Sequence, residues 1–187
     1  IFMTTNTYAN VLFIGDSLTG VISTEYIKLH PDVTVDVDFV VGSGLENKTI
    51  DWFKKVEHID FTKYSYIVIS FGTNDFISAN KSQPIIDRWQ YNYLQKIGRF
   101  INYLRKYTKP KIVWIAPPTI KNNSIDNGVS LARDTILFAA RYFQFEHIDV
   151  RETLGYEFRY SVDGIKIRTA DGIHYTSEAG KMISNLL

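Results

Sequence analysis

A serine stands where a short apolar run gives way to a helical pattern. The apolar run covers residues 10–14, Gly15 follows it, and Asp16 and Ser17 come directly before the helical pattern. Gly15 can turn the backbone without the steric cost of a Cβ, so the Ser17 hydroxyl would stand at the start of a helix. A backbone N–H at that position can also stabilise negative charge on a reacting oxygen. Ser17 is therefore a candidate nucleophile, although Asp16 and Ser17 could serve only as helix caps.

An acid and an imidazole follow at the far end of the chain. Asp171 and His174 are three residues apart, just before a short helical pattern at 177–187. At that spacing on a turn, the carboxylate can bond to one ring nitrogen and leave the other free to take a serine proton. Ser17, His174 and Asp171 therefore form a candidate catalytic triad. The alternative is a surface histidine and an aspartate that only shapes the turn before Gly172.

Two further loops contain groups that could stabilise an oxyanion. One loop follows the apolar run 66–71 and contains Asn74, whose side-chain amide is a hydrogen-bond donor. The other follows the second predicted strand and contains Gly42 and Gly44, each with a backbone N–H. Ligands bind outside the carboxyl ends of parallel strands, so both loops are expected to face the same crevice as Ser17. Either loop could instead be a simple turn.

Short apolar runs alternate with helical patterns along the chain. This alternation predicts an α/β fold, a three-layer α/β/α sandwich whose five parallel strands follow the flavodoxin-like order 2-1-3-4-5. The clearest helix is predicted at 84–107, where apolar residues recur at three- and four-residue steps. We expect the longest irregular stretch at 117–127, beside the crevice. The predicted strands are 10–15, 33–40, 66–71, 111–116 and 146–150, and the other predicted helices are 17–29, 49–58, 127–143 and 177–186.

Composition favours one domain over residues 1–187, with an extended segment at 1–9. Lys and Arg number 21 against 20 Asp and Glu, so the net charge of +1 gives no electrostatic case for nucleic acid or an anionic membrane. No apolar stretch approaches the ~18 residues that a membrane-spanning helix needs. The chain has no cysteine, which excludes disulfides, zinc–thiolate sites and a cysteine nucleophile. No spacing of His, Asp and Glu indicates a metal site, so we expect neither a metal nor a cofactor.

Four short motifs together resemble the SGNH hydrolase superfamily, also called the GDSL esterases and lipases. They occur in the order typical of that superfamily and extend over residues 15–174, nearly the whole chain. The motifs are Gly15-Asp16-Ser17-Leu18, the glycine of Ser43-Gly44-Leu45, Gly72-Thr73-Asn74-Asp75 and Asp171-Gly172-Ile173-His174.

The resemblance implies a serine hydrolase and assigns a role to each candidate residue. Ser17 would be the nucleophile, His174 its general base, and Asp171 the acid that orients His174. The N–H groups of Ser17 and Gly44 and the side-chain amide of Asn74 would form an oxyanion hole. Neighbouring residues are expected to line the substrate site, although Asp75 could instead brace the loop. These neighbours are Asp16, Leu18, Leu45, Trp52, Asp75, Pro117 and Ile173.

Ser43-Gly44-Leu45 followed by the pair Trp52-Phe53 resembles a bacterial branch of the superfamily, which favours Gly44 over Gly42 as the oxyanion donor. Softer matches to the same branch are the pair Trp89 and Tyr93, the segment 114–118 and Arg168. The branch implies a bacterial envelope setting, periplasmic or extracytoplasmic, although the chain begins at Ile1 without a signal-peptide pattern and would be a processed or excised domain.

The same resemblance implies a substrate with a short acyl ester, expected to be an O-acetyl group on a carbohydrate or cell-wall glycan. Two alternatives stay open: an O-acyltransferase of the same fold, and a non-catalytic glycan-binding module. The oligomeric state is left open too. Trp52, Trp89 and Trp114 could stack on sugars, although aromatic residues in helices and strands more commonly belong to the core.

Overall fold

The computed structural model describes residues 10–187, and the extended segment expected at 1–9 lies outside the described residues. Five parallel strands form one sheet in the order β2-β1-β3-β4-β5, which confirms the predicted topology. Since every strand of this sheet points the same way, the loops that follow them meet at one edge. The strands are β1 (Val11–Gly15), β2 (Val35–Phe39), β3 (Tyr66–Ser70), β4 (Lys111–Ala116) and β5 (Glu146–Asp149).

Helices cover both faces of the sheet, as predicted. Successive side chains of a strand point to opposite faces. Leu12 and Ile14 of β1 accordingly pack with α2, α3 and α4, whereas Val11 and Phe13 pack with α1 and α6. Within residues 10–187, no helix is long and apolar enough to cross a membrane. The helices are α1 (Leu18–Leu29), α2 (Trp52–Val56), α3 (Gln83–Leu104), α4 (Asn123–Tyr142), α5 (Arg151–Leu154) and α6 (Ser177–Ser184).

The expectation of a long irregular stretch at 117–127 is wrong. Helix α4 begins at Asn123 because the side chain of Asn122 accepts a hydrogen bond from the Ile125 N–H at 3.2 Å and caps the helix. Only residues 117–122 remain irregular, and the stretches 40–51 and 71–82 are longer.

Two small elements near the end of the chain were not predicted. Helix α5 has four residues, and a hairpin joins β6 (Ser161–Val162) to β7 (Ile165–Lys166). Both are too short for a hydrophobic period to reveal them. The predicted helix at 49–58 is also shorter than expected, since α2 contains only five residues.

Helices α3 and α4 pack closely at a glycine. A Cβ added to Gly98 would lie 2.3 Å from the Cζ atom of Phe143, which directly follows α4. Gly98 is buried and Phe143 is partly buried, so an added methyl group at Gly98 must push the ring outward.

We predict that Gly98→Ala lowers the free energy of unfolding by about 1–3 kcal/mol, because the added methyl group must displace the Phe143 ring. In a helix without that contact, the same change would be stabilising by up to ~1 kcal/mol. Urea denaturation measures the difference. In a Phe143→Leu background the substitution should cost clearly less, and equal costs in both backgrounds would contradict this explanation.

Candidate active site

Ser17, His174 and Asp171 form a continuous hydrogen-bonded chain. The Oγ atom of Ser17 lies 2.8 Å from Nε2 of His174, and Nδ1 of His174 lies 2.6 Å from Oδ2 of Asp171. An ionised carboxylate can only accept, so Nδ1 carries the proton and Nε2 is left to accept from the Ser17 hydroxyl. Ser17 occupies the N-cap position of α1, yet its side chain makes no capping bond. The hydroxyl therefore faces the imidazole rather than the helix.

The second oxygen of the Asp171 carboxylate organises its own loop. It accepts hydrogen bonds from Thr169 Oγ1 at 2.7 Å, from the Ile173 N–H at 2.9 Å and from the His174 N–H at 3.0 Å. Burial works against ionisation of Asp171. The hydrogen bonds from Thr169 and His174 and from the backbone outweigh it and lower the pKa of the carboxyl below its ordinary value. Asp171 is thus a charged acceptor in a fixed orientation.

The loop that contains His174 is attached to the segment after β4 by Arg168. This guanidinium is buried and donates to the carbonyl oxygens of Ile173 at 3.0 Å and of Thr119 at 3.1 Å. A backbone bond from the Lys121 N–H to the Gly172 carbonyl, at 3.0 Å, joins the same two segments. The sequence marked Arg168 only as a branch feature, whereas the structure shows what it contacts.

A second buried arginine, missed in the sequence, holds the segment after β4 from the other side. Arg133 of α4 donates to the carbonyl oxygens of Pro117 and Pro118, both at 2.7 Å. It also forms an ion pair with Asp126, whose carboxylate accepts from the Ile120 N–H. The signal available in the sequence was a single arginine on an otherwise small and apolar helix face, formed by Val129, Ala132 and Ile136.

On the opposite side of Ser17, the buried carboxylate of Asp75 organises the loop after β2. Its oxygens accept from the N–H groups of Leu45, Glu46 and Asn47 at 2.8–2.9 Å and from the Tyr93 hydroxyl at 2.9 Å. Asp75 is 0% exposed, so it lies inside the protein and braces the loop.

Gly44 lies against this carboxylate and cannot be replaced without strain. A Cβ at position 44 would lie 2.2 Å from Oδ1 of Asp75, whereas a Cβ on Gly42 would meet open space.

The side-chain amide of Asn74 donates to the Ser43 carbonyl at 3.0 Å and retains a second N–H. Within residues 10–187, the backbone N–H groups of Ser17 and Gly44 have no acceptor. These donors are available to a ligand.

Three of the residues expected to line a substrate are instead packed inside the protein, so that expectation is wrong for them. Asp16 and Trp52 are 1% exposed, and Asp75 is fully buried. The Trp52 Nε1–H donates to Ser43 Oγ at 2.9 Å, which supports the loop that contains Gly44. Leu18, Leu45 and Pro117 are buried as well, and only Ile173 among the seven is partly exposed.

Asp16 is a buried acid with an unusual charge state. Its Oδ1 accepts from the Leu18 N–H at 2.9 Å, while its Oδ2 has no partner within residues 10–187. Burial raises the pKa of Asp16 to about 8, against the hydrogen bond from Leu18 and with a contribution from the charge of Asp75. In the described part of the chain, no group of three His, Asp or Glu side chains is arranged to hold a metal ion.

We predict that Asp16 makes the protein less stable as the pH rises from about 4 to about 8. In this range the unfolded chain releases the Asp16 proton, because the ordinary pKa is 3.8, whereas the folded protein keeps it. Asp16→Asn has no such proton, so its free energy of unfolding should fall less steeply with pH. Urea denaturation across this range compares the slopes, and equal slopes would contradict the assignment.

Replacing the bracing carboxylate should be costly. In Asp75→Asn, an amide NH₂ faces backbone N–H donors and leaves buried groups unpaired, so we predict a loss of about 2–4 kcal/mol in the free energy of unfolding. The control is Asp51→Asn at the exposed N-cap of α2, which should change stability by less than ~0.5 kcal/mol because asparagine caps a helix as well as aspartate. Similar losses in the two variants would count against the bracing role.

The family model described as "Protein of unknown function (DUF459)" matches residues 10–187. No curated protein matches the sequence. Among solved structures, the chain is similar to an acetylxylan esterase (Axe2) from Geobacillus stearothermophilus, with 14% identity, coverage of 94% of this chain and 90% of that one, and a TM-score of 0.64.

Two further structures have the same fold. A phospholipase A1 from Streptomyces albidoflavus NA297 is 13% identical, with coverage of 96% and 97% and a TM-score of 0.66. The acetyl xylan esterase AlAXEase is 15% identical, with coverage of 94% and 96% and a TM-score of 0.66. The match extends over nearly the full length of all three proteins.

Proposed function

The chain belongs to the DUF459 family, which is SGNH-like, and we propose that it is a serine esterase that forms an acyl-enzyme on Ser17. The observation that carries the proposal is the hydrogen-bonded chain from Ser17 through His174 to Asp171. The esterases and the phospholipase that share the fold support ester hydrolysis as the reaction class.

The proposed reaction proceeds in two steps. His174 Nε2 takes the Ser17 proton while Oγ attacks the ester carbonyl, and Asp171 stabilises the resulting imidazolium. The oxyanion accepts from the N–H groups of Ser17 and Gly44 and from the free N–H of Asn74. His174 then protonates the leaving alcohol. Water, activated by the same imidazole, releases the acid from the acyl-enzyme and restores Ser17.

We propose a short acyl group, in particular O-acetyl, on a carbohydrate as the substrate, in the bacterial envelope. Two of the similar structures are acetylxylan esterases. Trp52 and Trp114 are buried and offer no face to a sugar. Tyr156 is 61% exposed, and its carbonyl accepts from the side chain of Thr119, beside the segment that Arg168 attaches to the His174 loop. This ring is the better candidate for stacking on a sugar.

Replacing Ser17 or Asn74 by alanine tests the proposal. We predict that Ser17→Ala abolishes hydrolysis of nitrophenyl acetate and labelling by a fluorophosphonate probe. Asn74→Ala should lower kcat by ~10²–10³, the usual cost of one oxyanion donor. Ser82→Ala is the matched control, because Ser82 is also an N-cap serine without a side-chain capping bond. It should keep the full rate and full labelling.

A Ser17→Ala protein that hydrolysed the ester at the rate of the parent would overturn the assignment of the nucleophile. Transfer of the acetyl group to a glycan acceptor, with Ser17 still required, would instead identify the O-acyltransferase of this fold. A parent protein that neither reacts with the probe nor cleaves the ester, but binds glycans, would favour the non-catalytic module.

A further inference from the structure

A cavity of about 430 Å³ lies between the loop after β2 and helix α3. Its wall includes Leu45, the residue that follows Gly44. Its volume is in the range of small-molecule sites, roughly 300–1,000 Å³. The proposed mechanism uses none of its side chains. The charged and amide side chains that line it are Glu46, Asn47, Lys48, Asp51, Lys96 and Arg99.

The basic residues of this cavity are held in different ways. The guanidinium carbon of Arg99 lies 5.0 Å from the centroid of the Phe53 ring, and within residues 10–187 the group makes no hydrogen bond or ion pair. Lys48 is exposed and likewise has no ion-pair partner in the described part of the chain. Lys96, close to one turn before Arg99 on α3, is paired with Glu46.

The acidic residues of the cavity are already engaged. The charge of Glu46 is balanced by Lys96, and the carboxylate of Asp51 caps α2 by accepting from the Lys54 N–H at 3.2 Å. The three basic and two acidic side chains of the cavity together leave a net charge of +1, and Arg99 and Lys48 are the cations without an ion-pair partner in the described residues. Their charge is well placed to attract an anion.

We infer that this cavity binds an anionic group, a carboxylate or a phosphate, on the glycan that carries the ester. A guanidinium stacked on an aromatic ring is held in place, and its planar edge can donate two parallel hydrogen bonds to either group. Asn47 and Leu45 in the cavity wall are the residues whose N–H groups Asp75 fixes, so the cavity and Gly44 share one rigid loop. The inference rests on the proposed function, which supplies the ester.

Direct binding to the Ser17→Ala protein tests this site without turnover. The probes for isothermal titration calorimetry are trigalacturonate, glucose 6-phosphate and neutral xylotriose. We expect an acidic probe to bind at least tenfold more tightly than xylotriose, and less tightly as salt rises. Arg99→Gln should weaken that binding at least tenfold. Arg88→Gln is the matched control, because Arg88 is an exposed arginine of the same helix outside the cavity, and it should leave binding unchanged.

The two acidic probes separate the two sources of charge, since tighter binding of trigalacturonate indicates a uronic acid and tighter binding of glucose 6-phosphate indicates a phosphorylated sugar. Equal binding of all three probes, no binding of either acidic probe, or no effect of Arg99→Gln would overturn the site.

Hydrolysis of neutral nitrophenyl acetate separates this inference from the proposed function. With Ser17 intact, Arg99→Gln should leave that rate unchanged. Loss of the rate in Arg99→Gln would overturn the separate role of the cavity. Binding of an acidic probe through Arg99 by a protein that cleaves no ester would support the site and contradict the esterase.

Discussion

The burial of the Asp75 carboxylate is the interaction on which the geometry around Ser17 depends. A carboxylate without partners would be very costly inside a protein, so its burial is possible only because four donors point at it. Three of them are consecutive backbone N–H groups of the loop after β2, and the fourth is the hydroxyl of Tyr93. The requirement to satisfy one buried charge thereby fixes the conformation of a loop that has no regular structure. Gly44 follows from the same requirement, since a side chain there would collide with Asp75.

On the other side of the site the roles are exchanged: the buried charged groups are cations, and they donate hydrogen bonds to backbone carbonyl oxygens. Arg133 and Arg168 donate to the carbonyl oxygens of three consecutive residues, 117–119, and Arg168 also reaches the loop that contains His174. A guanidinium suits this task because its several N–H groups diverge in one plane and can join separate segments. Ser17 is attached to neither group. Ser17 comes directly after β1 and its neighbour Asp16. The distance between its Oγ atom and Nε2 of His174 therefore depends on how the segments held by Asp75 and by the two arginines are placed against the sheet.

The sequence predicted correctly those features that follow from short patterns of residue types along the chain. Strand order followed from the alternation of apolar runs and helices, and the placement of Ser17 and Asn74 at one edge followed from the parallel sheet. Asp171 and His174 come after the β6–β7 hairpin, so their spacing and motif pointed to them rather than the sheet. Burial is different, because it depends on what the rest of the chain brings to a position. Asp16 adjoins Ser17 in sequence and Trp52 begins the helix after Gly44, yet both side chains are packed inside. Arg133 was missed because its partners, the carbonyls of Pro117 and Pro118, leave no trace in side-chain type.

Two acids close to Ser17 are unfavourable for a site that must develop negative charge, and the surroundings of each acid reduce that cost in a different way. Burial raises the pKa of Asp75, and the hydrogen bonds from the N–H groups of three loop residues and from the Tyr93 hydroxyl act against that rise and favour its charged form. Asp16 has a single hydrogen bond, and burial raises its pKa to about 8, so near neutral pH it is mainly uncharged. In the proposed mechanism the oxyanion forms beside the N–H of Ser17, one residue from Asp16. A neutral Asp16 can shape the turn through the Leu18 N–H without opposing that charge, which an ionised carboxylate at the same position would do.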